Sequence, residues 1–279
     1  MSLCDKYRPR TLSEVIGQPW AVHQLQTFVE SPVPCAFLFE GETGTRKTSA
    51  ALALAHDLGV DCAAGPLGGL HEIASGEQTG ESVRRTMDGL RLFTLSGSGW
   101  KVLIVNEADC MTANAAYIWL DALERIPART VIVFTTNHAS KLPARLRDRC
   151  ERLRFESGYI ALAPYLAELI GRVWLAETGR TDAPDLDDLG TITDEDGNVS
   201  VRRVLQQLAP LLRGRERPKA KVTAVVEPMV SGGFDAATVW SRRQAGVSWR
   251  VLASELRMPE TTVRGRLYRS GFMRKGSRS

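Results

Sequence analysis

The stretch FEGETGTRKTSA, Phe39–Ala50, sets the interpretation of the chain. It nearly matches G-x-x-x-x-G-K-[ST], the glycine-rich loop whose backbone N–H groups bind phosphates. Gly41 opens the pattern and Lys47 and Thr48 close it, but Arg46 replaces its last glycine. The loop lies between an apolar segment typical of a strand and a segment typical of a helix, as a phosphate loop requires. A plain strand-to-helix connection is the alternative, and the second motif described below disfavours it.

Eight consecutive residues form the predicted phosphate site, namely Gly41, Glu42, Thr43, Gly44, Thr45, Arg46, Lys47 and Thr48. We expect Lys47 to reach the β- and γ-phosphates of ATP and Thr48 to bind Mg²⁺. Arg46 is strained if the backbone needs a positive φ. Its side chain either crowds the phosphates or adds a cationic contact to them, and the sequence leaves both alternatives open.

Polar residues follow two further apolar segments. In VLIVNEAD, Asn106 and Glu107 directly follow the apolar residues, and they suit a metal-side ligand and a base that polarises water. FTTN ends in Asn137, which either orients the attacking water or caps a strand. Arg149 is either a surface charge or an arginine finger directed at a neighbouring subunit's γ-phosphate.

Short apolar segments alternate with amphipathic ones over the first 155 residues, which predicts an α/β fold with a parallel sheet covered on both faces. The predicted strands are 35–41, 69–75, 100–108, 129–137 and 149–155. The predicted helices begin at Lys47, near Ser82 and at Thr112. The predicted domains are a nucleotide-binding domain (1–155), a helical lid (156–213), a linker (214–233) and a basic tail domain (234–279).

The tail differs from the body in charge. Residues 1–213 carry 22 basic and 27 acidic groups, whereas residues 214–279 carry 14 basic and 5 acidic groups, which favours contact with a polyanion. Spaced apolar residues in AGVSWRVLASELRMPETTVRGRLYRSGF predict a helix-turn-helix that presents Arg264, Arg266 and Arg269 to DNA. A small helical oligomerisation piece is the alternative. Trp240 and Trp249 flank this unit, and we assign them to hydrophobic core and to no further function.

The composition indicates the cellular compartment and argues against several kinds of structural site. Five scattered cysteines without a C-x-x-C pair argue against a disulfide framework, and four scattered histidines argue against a zinc site. No uninterrupted apolar run reaches the eighteen or so residues that a membrane span needs, and the N-terminus has no signal-peptide core. We expect a soluble cytoplasmic protein, encoded by a cell or by a phage acting in its host, with no membrane partner.

In this order the motifs resemble those of the AAA+ clamp-loader ATPases, the replication factor C and phage clamp-loader small-subunit type. The resembling stretches lie within residues 4–212 and are DKYRPRTLSEVIGQ, the phosphate loop, LHEIASGEQTGESVRRTM, NEAD, TTN, LRDRC and SVRRVLQQL. The resemblance implies an ATPase subunit in a ring- or spiral-shaped oligomer. Such an oligomer loads a sliding clamp onto primer–template DNA, and its partners are the clamp, DNA and other loader subunits.

The resemblance also assigns residues to roles. Adenine lies beside a segment that contains Tyr7, Arg8, Pro9 and Ile16, and Arg202 faces the phosphates from the lid. Arg84 and Arg85 face DNA inside the spiral, with a surface ion pair to Glu81 as the alternative.

Three residues depart from the family motifs. Arg46 replaces the last glycine of the phosphate loop, and Asn106 replaces the metal-side Asp. Asp148 replaces a Ser and is placed to pair with Arg149. ATP binding is expected, whereas hydrolysis in this chain's own site is left open. A second function class, a DNA-binding regulator or replication initiator that uses the helix-turn-helix, also remains open.

Overall fold

The computed structural model describes most of the chain. The described residues are 2–194, 197–214 and 235–244, together with Trp249, Leu252, Leu256, Val263 and Leu267. The predicted linker lies almost entirely outside them, and so do Arg264, Arg266 and Arg269.

Five strands form one parallel sheet in the order β2-β3-β4-β1-β5. The strands are β1 (Cys35–Glu40), β2 (Leu70–Ile73), β3 (Lys101–Val105), β4 (Thr130–Thr136) and β5 (Glu151–Arg154). All five predicted strands and the parallel sheet are confirmed. The third strand ends at Val105 rather than at 108, because Glu107 adopts a left-handed conformation (φ 51°, ψ 55°) that interrupts the extended chain.

Nine α-helices are found among the described residues. They are α1 (Leu3–Lys6), α2 (Pro19–Glu30), α3 (Lys47–Asp57), α4 (Gly80–Gly89), α5 (Ala113–Glu124), α6 (Ala144–Arg147), α7 (Tyr159–Thr178), α8 (Val201–Leu212) and α9 (Ala236–Gln244). Short 3₁₀ helices cover Leu12–Glu14, Cys62–Gly68, Ala108–Cys110, Ala139–Lys141 and Leu186–Leu189.

Side-chain caps explain where two helices start. The helix expected near Ser82 begins at Gly80, because the Thr79 hydroxyl accepts the Ser82 N–H and caps the first turn. Thr112 caps α5 in the same way, so this helix begins one residue after the predicted start.

The sheet is buried on both faces, as parallel sheets usually are. Along β1, Phe37 and Phe39 pack on the side of α2 and α3, whereas Ala36 and Leu38 pack on the side of α4 and α5. This alternation is the period of two that an extended strand imposes. Both layers that cover the sheet are therefore held by residues of one interior strand.

A second core joins α7 and α8 into the lid. By length and composition α7 could cross a membrane, with a mean hydropathy of 1.2. However, one side of the helix is buried in the lid core, through Leu162, Leu166, Leu169, Ile170 and Val173. Packing within the protein accounts for these five residues, whereas Ile160 and Leu175 of the same helix are exposed.

The junction between sheet and lid is fixed by the buried side chain of Gln18. Its amide donates to the Glu156 carbonyl (2.9 Å) and its Oε1 accepts the Glu156 N–H (2.7 Å). Both backbone groups of Glu156, which follows β5 and precedes the lid, are thus held by one side chain.

The described part of the tail has its own core. Val239, Trp249, Leu252, Val263 and Leu267 are buried together, and Trp240 packs against them. The core assignment of the two tryptophans is confirmed. Helix-turn-helix geometry remains a prediction, because most of the turn and the second helix lie outside the described residues.

We predict that Trp119→Ala destabilises the protein by about 3–5 kcal/mol, the usual cost of removing a large buried aromatic. Trp119 is 0% exposed and packs edge-on against Phe134 with ring centroids 4.9 Å apart. Tyr117→Ala, on the same helix but 74% exposed, is the control and is expected to change stability by less than about 0.5 kcal/mol. Urea unfolding of both variants measures the difference, and equal effects would contradict the assigned core.

Candidate nucleotide-binding site

Three strand ends converge on the phosphate loop. The carboxyl ends of parallel strands lie at one edge of a sheet, and β4 lies between β1 and β3. The loop that follows β1 therefore meets Asn137 after β4 and Asn106 and Glu107 after β3. The cleft between them is lined by Cys4, Arg8, Thr43, Gly44, Arg46, Lys47, Thr48, Ser49, Glu107, Thr135, Thr136, Asn137, Arg202 and Leu205.

Lys47 makes three hydrogen bonds inside the loop. Its ammonium donates to the carbonyls of Gly41 (2.7 Å) and Glu42 (2.9 Å) and to Asn137 Oδ1 (2.8 Å). Burial lowers the pKa of Lys47 to about 8, although nearby carboxylates act in the opposite direction. The ammonium is thus poorly hydrated, which favours its contact with an anion.

Thr48 and Asn106 bring two oxygens together at the base of the cleft. The Thr48 hydroxyl donates to Asn106 Oδ1 over 2.9 Å. Oxygen atoms are the ligands that Mg²⁺ prefers, and Mg²⁺ is usually held by one or two protein groups together with substrate phosphates. No cluster of three or more His, Cys, Asp or Glu side chains suited to a metal exists among the described residues. The pair therefore fits a Mg²⁺ ion that binds together with a triphosphate. Because Asn106 is neutral, the site carries one negative charge fewer than it would with an Asp at this position.

Glu107 is held by groups that the motif analysis did not assign. Ser75, just after β2, donates its hydroxyl to Glu107 Oε2 over 2.5 Å. The buried Gln78 donates its amide to the carbonyls of Asn106 and Glu107. The sequence placed Ser75 at the end of a predicted strand and Gln78 after it, but the strand order that brings them beside Glu107 comes from the pairing of β2 with β3.

Arg46 adopts φ 71° and ψ 24°, so the condition under which a side chain at this position is strained is met. Its guanidinium donates to the Tyr7 carbonyl over 3.2 Å. Burial lowers the pKa of Arg46, and the neighbouring guanidinium groups of Arg172 and Arg8 act in the same direction. The side chain is directed at the N-terminal segment.

The N-terminal residues that were assigned to the adenine side lie in two places, at the cleft and against the lid core. Arg8 lines the cleft, together with Arg202 from the start of α8. Tyr7 and Ile16 pack against the lid core, and Pro9 is buried. The Tyr7 hydroxyl donates to Glu177 Oε1 (2.7 Å), and burial followed by this bond raises the pKa of Tyr7 to about 12. The segment beside the expected adenine position is thus bound to the lid.

Arg149 lies on the surface, away from the cleft of its own chain. Its Nη2 donates to Glu124 Oε1 over 2.5 Å and its Nη1 to the Arg145 carbonyl over 3.0 Å. The local ion pair expected with Asp148 is therefore wrong. Asp148 is the C-terminal cap of α6, and the acidic partner comes instead from the end of α5.

Arg84 and Arg85 are both exposed on α4. The alternative ion pair with Glu81 is absent from the ion pairs of the described residues. Both guanidinium groups are accessible to an anionic partner.

Comparison with known proteins supports the motif assignment. A family model described as DNA polymerase III, delta subunit matches residues 71–158. The replication factor C small subunit of Thermofilum pendens is 35% identical over 155 residues, which cover 54% of this chain and 46% of that protein. The corresponding protein of Staphylothermus marinus is 29% identical over 231 residues, 80% of this chain and 67% of that protein.

These matches have a limited extent. The chain spans about half of the length of most of the curated relatives that it matches, 46–48% for several of them. A structure of a variant of the Thermotoga maritima RuvB protein superposes with a TM-score of 0.53 and 17% identity, covering 92% of this chain and 88% of that chain. At this identity the superposition shows the fold alone. Together, the motif order, the fold and the sequence matches make the chain similar to the AAA+ ATPases of the clamp-loader type.

Proposed function

We propose that this chain is an ATP-binding subunit of a loader that places a sliding clamp on primer–template DNA during replication. The observation that carries the proposal is the convergence of Lys47, Thr48, Asn106, Glu107 and Asn137 at one edge of the sheet. The similarity to replication factor C small subunits supports the loader role over other uses of the same cleft.

The residues of the cleft have different roles in ATP binding. The Lys47 ammonium exchanges the carbonyls of Gly41 and Glu42 for phosphate oxygens, which are stronger acceptors because they are charged. Thr48 and Asn106 would hold Mg²⁺ beside the triphosphate, and the ion would supply positive charge against the charge that develops on the phosphates. Arg202 adds a cation from the lid side of the cleft.

Hydrolysis requires a rearrangement of this chain's own groups. Asn137 is bound to Lys47, and it becomes available to orient a water once Lys47 turns to a phosphate. Ser75 donates to Glu107 Oε2, which leaves the other carboxylate oxygen to accept a proton from water. With the neutral Asn106 at the metal position, we expect slow hydrolysis in this chain's own site and faster turnover in a completed assembly.

We assign Arg149 to a neighbouring subunit's site, because it is exposed and remote from its own cleft. The exposed Arg84 and Arg85 are the assigned contacts to the phosphates of primer–template DNA.

An exposed apolar loop at the opposite end of the sheet is suited to a protein partner. Leu92, Phe93 and Leu95 are 69%, 98% and 78% exposed. The buried Lys101 donates to the carbonyls of Leu90 and Leu92, which fixes the start of this loop after α4. Exposed apolar patches of this kind mark interaction sites, and we assign this one to the sliding clamp.

A second candidate, a DNA-binding regulator or initiator, is favoured by the separate core around Trp249 in the tail. Sequence-specific duplex binding that requires the tail, without any clamp or loader partner, would support it.

We predict that Lys47→Ala weakens binding of a fluorescent ATP analogue at least about tenfold, because charge-assisted bonds to phosphate are lost. Equilibrium titration of the full chain measures the change. Lys141→Ala removes an exposed lysine after β4 and is the control, with unchanged affinity expected. If the two variants bind equally well, the phosphate-loop assignment fails.

Arg149→Ala is expected to lower ATP turnover of the assembled loader at least about a hundredfold, while ATP affinity of the isolated chain stays the same. Arginine fingers stabilise charge that develops in the transition state across a subunit interface, and their loss costs factors of about 10³–10⁵. Steady-state turnover with DNA and clamp present is compared with Arg145→Ala, an exposed arginine of the same turn. Loss of ATP affinity in the isolated variant would place Arg149 in its own site instead.

Phe93→Asp is expected to abolish recovery of the clamp in a pull-down followed by mass spectrometry, since it places a charge at the centre of the apolar loop. The variant should retain wild-type affinity for the ATP analogue, because the loop lies at the other end of the sheet. Leu175→Asp, at a half-exposed position on the lid helix α7, is the control. Clamp recovery by Phe93→Asp at the wild-type level would remove this surface from the proposal.

A further inference from the structure

The backbone at Arg46 is unfavourable for an arginine. A residue with a side chain rarely adopts φ 71°, and glycine has no such penalty. Positions of this kind persist where the surrounding structure holds them, and they are concentrated at functional sites. The contacts of the side chain therefore indicate what Arg46 contributes.

Those contacts lie on the N-terminal segment, defined as residues 2–9. The guanidinium donates to the Tyr7 carbonyl, and no carboxylate of the described residues forms an ion pair with it. Its charged neighbours, Arg8 and Arg172, are cations and repel it. The side chain is held there by the carbonyl against electrostatic repulsion.

The same segment is attached to the lid at three points. Lys6 forms an ion pair with Glu177 (2.7 Å), and the Tyr7 hydroxyl donates to the same carboxylate. The Cys4 thiol donates to the Arg202 carbonyl over 3.8 Å. Cys4 and Arg8 also line the cleft, so the segment forms part of its wall.

We propose that Arg46 is a positioning residue that ties the phosphate loop to the N-terminal segment, so that this segment is held as the wall of the cleft between the loop and the lid. The proposal rests on the proposed nucleotide site. It differs from both sequence-based alternatives, because Arg46 acts through the segment rather than by crowding or contacting the phosphates. Removal of the side chain detaches the segment from the phosphate loop, although not from the lid, and weakens its contribution to recognition of the nucleoside.

Hydrogen exchange of the nucleotide-free full chain tests the positioning role directly. Arg46→Gly should accelerate exchange of the amides of residues 3–8 by about tenfold, as expected for the loss of one partly buried hydrogen bond. Arg46→Lys, which keeps a cationic donor of similar reach, should restore most of the protection. Arg129→Gly is the matched control: Arg129 also has a positive φ (53°) but lies at the other end of the sheet. Unchanged exchange in Arg46→Gly, or equal acceleration in Arg129→Gly, would overturn the proposal.

Affinities for ATP and for inorganic tripolyphosphate provide the second readout. Arg46→Gly should lower the ratio of ATP to tripolyphosphate affinity at least about threefold, because the nucleoside loses its wall while the phosphates keep the loop. An equal loss for both ligands would show direct phosphate contact, and an equal gain would show crowding; either result overturns the proposal. If the wild-type chain binds neither ligand, the proposed nucleotide site fails, and the exchange experiment still decides the role of Arg46.

Discussion

Parallel pairing of β1, β3 and β4 is the constraint on which the candidate site depends. Because the three strands run in one direction, their carboxyl ends share one edge, and the residues after each strand are forced into a common cleft. The register of β1 with β4 sets Glu40 opposite Thr136, which brings Asn137 within reach of Lys47. Burial of both faces holds this register, since a slip of one residue would exchange the residues packed on the two sides.

The lid also supplies a residue to the same cleft. Its start is fixed to the sheet by Gln18, and its helix α8 presents Arg202 to the phosphate loop. Gly44 lies so close to this helix that an added Cβ would be 1.9 Å from the Ser200 hydroxyl oxygen. Ser200 is also the N-cap of α8. A glycine at this point is therefore required both by its positive φ and by the approach of the lid.

Residues that follow from strand topology were predictable from the sequence, and residues that depend on side-chain direction were not. Lys47, Thr48, Asn106 and Asn137 meet as expected, because apolar periodicity locates the strands and parallel pairing brings their ends together. The pairing of Arg149 with Glu124 was missed, since it joins elements 25 residues apart through two long exposed side chains. A positive φ at Arg46 was foreseeable from the motif, whereas the direction of its side chain depends on how the N-terminal segment crosses the loop.

The Gln18 contact has a mechanical consequence. Both backbone hydrogen-bonding groups of Glu156 are held by an amide that is itself 3% exposed, so the chain is clamped to the sheet up to this residue. Just beyond it, Ser157 and Gly158 contact Asn198 and Val199 of the lid. Between these two attachments lie the φ and ψ torsions of Ser157, since the Glu156 carbonyl is held by Gln18 and the Ser157 carbonyl accepts the Val199 N–H. Along this connection, rotation about those two bonds is what would turn the lid relative to the sheet.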